Sequence, residues 1–223
     1  MKKIVDRVRS GQILVSDGAW GTFLHQKGLG VGSCPELWNI ERRNDVLEIA
    51  QSYIDAGSDM IETNSFGGSR YKLAPFGLDA RVQEINIAAA QISRQAAGTE
   101  RNVLGSIGPT GKLVMMGDVA PEELYNAFRE QAMALEKGGA DALVIETISD
   151  LEEAKIAVSA CRENTQCEVI CTMTFEKSGE SLYHTMMGVT PTQMVEELVS
   201  LGVPIIGANC GNGIFDMIGV VSE

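Results

Sequence analysis

A lone thiol near the end of the chain, Cys210, sits in Pro204-Ile205-Ile206-Gly207-Ala208-Asn209-Cys210-Gly211-Asn212-Gly213, a short apolar run opening into small, turn-prone residues. As a thiolate it would serve as a nucleophile or a metal ligand. The plainer role is a small buried residue at a strand end, because free cysteine is among the most buried residue types. Taken by itself the local sequence favours that plainer role. Polar residues close other apolar runs in the same way: Asp17, Thr22, Glu62, Asn64, Ser106, Glu146, Thr147 and Asn209. Acids such as Asp17 and Glu146 could hold an ammonium group, while the loop amides after Asp17 could hold a carboxylate. That combination suits a zwitterionic amino acid, although each acid singly could equally cap a turn or a helix. Two other chemistries fit less well. A Schiff-base enzyme wants a lysine at a strand end, and Lys112, Lys137, Lys155 and Lys177 fall in predicted loops or helices. His25 and His184 fall in helical or loop stretches and form no acid–base arrangement with one another.

These residues need elements to position them, and the chain supplies a regular alternation. Apolar runs predict strands at 13–17, 60–64, 103–107, 142–147, 169–175 and from 204 to Cys210. Helical spacing predicts helices from Asp45 to Ala56, with Asn44 as N-cap, and from about Asp79 to Ala97. Pro121 opens another with Glu122 and Glu123 in its first turn. Ser149-Asp150-Leu151-Glu152 and Thr190-Pro191-Thr192-Gln193 have capping-box spacing, and Ile214 begins a last helix. A weak rhythm repeats: Ala56-Gly57-Ser58-Asp59-Met60-Ile61-Glu62-Thr63 parallels Gly138-Gly139-Ala140-Asp141-Ala142-Leu143-Val144-Ile145-Glu146-Thr147. Strands alternating with helices, apolar along their length, predict a parallel sheet. No G-x-G-x-x-G follows the first strand, and polar residues close every strand, so a (β/α) barrel is favoured over a doubly wound sheet. A closed barrel needs eight strand–helix units; six are counted here. The expectation is one barrel domain over 1–223, truncated after the sixth strand, with strands 7 and 8 missing. An unclosed sheet would leave two edges and an uncovered apolar interior, which favours association with a second copy.

The totals narrow the class. The 223 residues are 44% hydrophobic and 22% charged, enough for one sizeable core. No apolar run reaches the ~20 residues of a membrane span, and charges interrupt the N-terminal stretch before a signal-peptide core can form; a cytoplasmic protein is expected. A net charge of −12 speaks against nucleic-acid and anionic-membrane partners. Five cysteines, an odd number, fit reduced thiols rather than a disulfide framework. Cys161, Cys167 and Cys171 mimic a zinc cluster in spacing, but a helical pattern and an apolar strand run predict core packing for them.

Five motifs in order resemble those of homocysteine S-methyltransferases: Asp17-Gly18-Ala19-Trp20-Gly21-Thr22, Glu62-Thr63-Asn64-Ser65-Phe66-Gly67, Gly105-Ser106-Ile107-Gly108-Pro109-Thr110-Gly111, Val144-Ile145-Glu146-Thr147 and Gly207-Ala208-Asn209-Cys210. The likeness covers essentially the whole chain and is strongest to the homocysteine-binding module of cobalamin-dependent methionine synthases. The resemblance implies a (β/α)8 barrel and methyl transfer to the thiol of homocysteine, giving methionine. It also implies a Zn2+ held by three cysteines, of which Cys210 matches the first; the other two, an adjacent pair after the last strand, have no counterpart here. By the same resemblance Glu146 would hold the substrate amine, with Asp17, Thr22, Asn64 and Asn209 around the substrate. The resemblance implies a methyl donor that is either a corrinoid, such as methylcobalamin on a separate protein or module, or an onium compound, and the sequence does not choose between them. Two rivals remain: a degenerate binding module without activity, and a corrinoid-linked methyltransferase acting on another methylated substrate.

Overall fold

The computed structural model describes residues 3–179, 182–211 and 213–223. In chain order the helices are α1 (Ile4–Arg9), α2 (Trp20–Gln26), α3 (Trp38–Glu41), α4 (Arg43–Asp55), α5 (Arg70–Leu73), α6 (Val82–Ala97), α7 (Pro121–Gly138), α8 (Leu151–Asn164), α9 (Pro191–Ser200) and α10 (Ile214–Ser222). The strands are β1 (Met60–Glu62), β2 (Asn102–Ile107), β3 (Ala142–Ile148), β4 (Glu168–Met173), β5 (Glu176–Ser178), β6 (Leu182–His184) and β7 (Ile205–Ala208). Among the described residues no helix is long and apolar enough to cross a membrane.

Strands β1, β2, β3, β4 and β7 form one parallel sheet in that spatial order. Each new strand lies beside the one before it, and the order never reverses as it does in a doubly wound sheet. Period-two alternation divides the two faces. Ile61, Val103, Leu143, Ile145, Val169 and Cys171 point out and pack with the helices. Met60, Leu104, Val144 and Ile170 point inward and meet Ile4 and Leu14 in a second cluster. Helix α1 closes that inner end, because Glu168 at the start of β4 accepts hydrogen bonds from Ile4 N at 2.6 Å and Val5 N at 3.1 Å.

Several expectations need correction. The predicted first strand at 13–17 is not a strand. Val15 O accepts from Asp59 N at 2.7 Å, but Val15 N turns to the Asp59 carboxylate at 3.1 Å, so one side chain stops the ladder from propagating. The sheet therefore has five strands, not six. Asn44 lies inside α4 rather than capping it. At α8 the cap is Asp150, which accepts from Glu152 N, instead of Ser149. The Thr190 box is as expected, with Thr190 Oγ1 accepting from Gln193 N and Gln193 returning to Thr190 N. The antiparallel pair β5–β6, which holds His184 and Lys177, has no sequence signal beyond two three-residue runs. Cys161 and Cys171 lie buried in the main core. Burial pushes the Cys171 thiol up to about 12 and raises Cys161 further, so both are neutral packing groups.

Candidate functional site

The C-terminal ends of the parallel strands surround a pocket of about 560 Å³. Its wall brings together Asp17, Glu62, Asn64, Ser106, Glu146, Thr147, Asn209 and Cys210, residues up to 193 positions apart (17 to 210). Of the predicted site residues only Thr22 falls outside this lining: it is an exposed residue of α2, and the preceding Gly18, Ala19, Trp20 and Gly21 form the wall instead.

Asp17 holds that loop. Its Oδ1 accepts from Ser16 Oγ at 2.9 Å, and its Oδ2 accepts from Trp20 Nε1 and Glu62 N, both at 2.9 Å. The carboxylate thus ties the loop to the end of β1. Tyr53 of α4 braces the other side, donating to Ala19 O at 2.9 Å. A Cβ at position 18 would lie 3.2 Å from the Tyr53 hydroxyl, a tight contact that the tyrosine must yield to.

The opposite wall is built around Asn209. Its Oδ1 accepts from Thr147 N at 2.9 Å and Thr172 Oγ1 at 2.8 Å; its Nδ2 donates to Glu146 Oε2 at 3.1 Å and Thr147 Oγ1 at 2.8 Å. One side chain therefore joins the ends of β3, β4 and β7. Glu146 Oε1 also accepts from Ser106 Oγ. Thr147 and Cys210 are the two non-glycine residues with positive φ among those described, at 60° and 58°. For a β-branched threonine this is a strained conformation, of the kind that clusters at functional sites. A register shift in β3 between Ile145 and Ile148 accompanies it and lets the adjacent Glu146 and Thr147 both face the pocket. Cys210 Sγ lies 3.5 Å from Thr147 Oγ1 and 3.4 Å from Asn209 Nδ2.

Asn64 faces the pocket with its amide nitrogen already committed, donating to Pro35 O at 2.8 Å and Asn39 Oδ1 at 3.1 Å. Glu36, which sequence reading passed over, lines the same wall and accepts from Gly67 N at 2.7 Å. Nothing in its local sequence marks it; only the chain path through residues 34–41 brings it there.

The charge balance of the pocket is one-sided. Asp17, Glu36, Glu62 and Glu146 line it, and among the described residues no Lys, Arg or His does. Burial raises Glu62 well above the ordinary carboxylate range, with Glu146 and then Asp17 adding to the shift. Glu146 and Asp17 are raised for the same first reason, burial, and their hydrogen bonds oppose it. Such a site favours a cationic group.

A family model described as homocysteine S-methyltransferase matches residues 14–223. Methionine synthase of Mycobacterium tuberculosis is 34% identical over 228 residues, covering 94% of this chain and 19% of that protein. The Mycobacterium leprae methionine synthase is 33% identical, covering 92% of this chain and 18% of its own length. The chain thus spans about a fifth of the curated relatives it matches. Among solved structures, the homocysteine methyltransferase MmuM of Escherichia coli in its metallated form superposes with a TM-score of 0.79 at 21% identity, over 97% of this chain and 81% of that one. Its oxidised form gives 0.81 at 21% identity, over 99% and 81%. At that identity the likeness establishes the fold.

Proposed function

The chain belongs to the homocysteine S-methyltransferase family, and from that premise we propose that its acidic pocket binds homocysteine and presents the thiol for methylation, giving methionine. One observation carries the reading: Cys210, Asn209, Glu146 and the loop behind Asp17, distant in sequence, line one pocket whose charged lining, among the described residues, is acidic throughout. We read the five-stranded, singly wound sheet as part of a (β/α)8 barrel, whose active sites lie at this end of the strands. The substrate ammonium belongs on the acidic side of the pocket, and its carboxylate towards the backbone of residues 18–21. Its sulfur then lies on the Cys210 side. Asn209 orients Glu146 and Cys210 together, since it bonds to both.

The family's zinc does not fit the residues described. Among them no group of three His, Cys, Asp or Glu side chains could hold a metal ion. Cys210 has hydroxyl and amide neighbours, where a tetrahedral zinc would want further thiolate or imidazole ligands. No step is therefore derived through zinc. The methyl group would arrive from outside these residues, carried by a corrinoid on a separate module or by an onium compound, the two donors the resemblance leaves open.

The same observation favours a second reading, a module that binds the amino acid without turning it over. Calorimetric titration with homocysteine, with and without added Zn2+, together with a methyl-transfer assay using methylcobalamin, separates the two. Homocysteine binding with methionine formation supports the first. Binding without product under every metal condition leaves the second, and no binding ends both.

A further inference from the structure

Of the three carboxylates on the strand-end side of the pocket, two are occupied by the protein itself. Asp17 accepts from Ser16, Trp20 and the Glu62 amide. Glu146 accepts from Ser106 and Asn209. Glu62 differs. Its backbone is bonded on both sides, donating to Asp17 and accepting from Ser93, but its carboxylate accepts no hydrogen bond from any described residue. Strand alternation sets its direction: Ile61 packs outward among the helices, Met60 points inward, and Glu62 follows Met60 into the pocket. Glu62 is half-buried in the pocket wall with no protein donor to its carboxylate, and among the described residues no basic side chain in the lining offsets its charge. Such a group is paired by whatever enters.

We propose that Glu62 is the carboxylate that receives the substrate's ammonium group, and so the residue that selects primary-amine substrates in this pocket. Glu146, fixed by its donors, is then the second acid beside that ammonium. The inference rests on reading the pocket as an amino-acid site. It also accounts for the electrostatics, because an incoming cation relieves the mutual repulsion of Glu62, Glu146 and Asp17.

The test compares two ligands that differ by one amine. Homocysteine and 4-mercaptobutanoate, which is homocysteine without its amino group, are titrated calorimetrically into the wild-type chain and Glu62→Gln. Glu62→Gln is expected to weaken homocysteine about 10- to 100-fold, the range of a charge-assisted hydrogen bond, and to leave 4-mercaptobutanoate unchanged or improved. No loss for homocysteine, or an equal loss for both ligands, overturns the proposal. Should Glu62→Gln fail to fold, Glu62→Asp decides by the same comparison, since its retracted carboxylate weakens only the ligand that carries an amine. If the wild type binds methionine but not homocysteine, the substrate assignment falls, and the same comparison is run with methionine and its desamino analogue. If no primary-amine ligand binds, both readings fall.

Discussion

Glu62, Glu146 and Asp17 are all held above the ordinary carboxylate range, with burial the first cause in each. Between that ordinary range and the raised values, the folded state binds more protons than the unfolded one. Stability therefore falls as pH rises through this window. Glu62, with no donor to offset its burial, contributes most. Glu62→Gln should consequently melt higher than the wild type at pH 7, at about 2–4 °C per kcal/mol relieved for a chain of this length, and the gain should vanish below about pH 4. Scanning calorimetry at the two pH values checks this; an unchanged or lowered Tm at pH 7 would count against the buried-acid picture. Asn209 has the opposite sign. Its side chain makes five hydrogen bonds at the pocket rim, and Asn209→Ala leaves Thr147 N without its acceptor. A loss of about 1–3 kcal/mol is expected in denaturant unfolding, together with weaker homocysteine binding.

At the scale of elements, the helices that pack on the sheet were legible because their apolar spacing and their breakers agree. Pro121 opens α7, and the Thr190 box opens α9. Where two caps compete within one residue, as at Ser149 and Asp150, local sequence does not choose between them; the turn geometry does. The stretch at 13–17 reads as a strand by composition, yet the Asp59 carboxylate takes the donor that a ladder would use. Two contacts between elements are open to test. Glu168 caps α1 from the far end of the chain, and Glu168→Ala should cost about 1–2 kcal/mol and speed hydrogen exchange at Ile4 and Val5. Gly138 lets α7 approach α6, where an added Cβ would lie 2.6 Å from both Ala90 Cβ and Ile87 O. Gly138→Ala must push the helices apart, for an expected loss of about 1–3 kcal/mol in the same unfolding measurement.

Over the whole molecule the sheet is covered outside by helices, while α10 stands against it with little of its apolar surface used. Ile214, Phe215, Ile218 and Val221 are exposed, and Val220 alone is buried. A helix apolar on most faces is expected to bind an apolar-surface dye in the native state. Phe215→Ser with Ile218→Ser should reduce that signal while shifting stability by about 0.5 kcal/mol or less; an unchanged signal would place the dye elsewhere. Composition, alternation and strand-end polarity by themselves determined the α/β class, the parallel strands and most of the polar residues that line the pocket, because those follow from local spacing. Only the tertiary structure decided which acids are free. Asp17 and Glu146 look alike in sequence to Glu62, and hydrogen bonds from residues up to 63 positions away separate them (146 to 209). It also decided that Thr22 turns out of the pocket and Glu36 turns in. Such choices depend on where remote segments meet, and no local spacing records that.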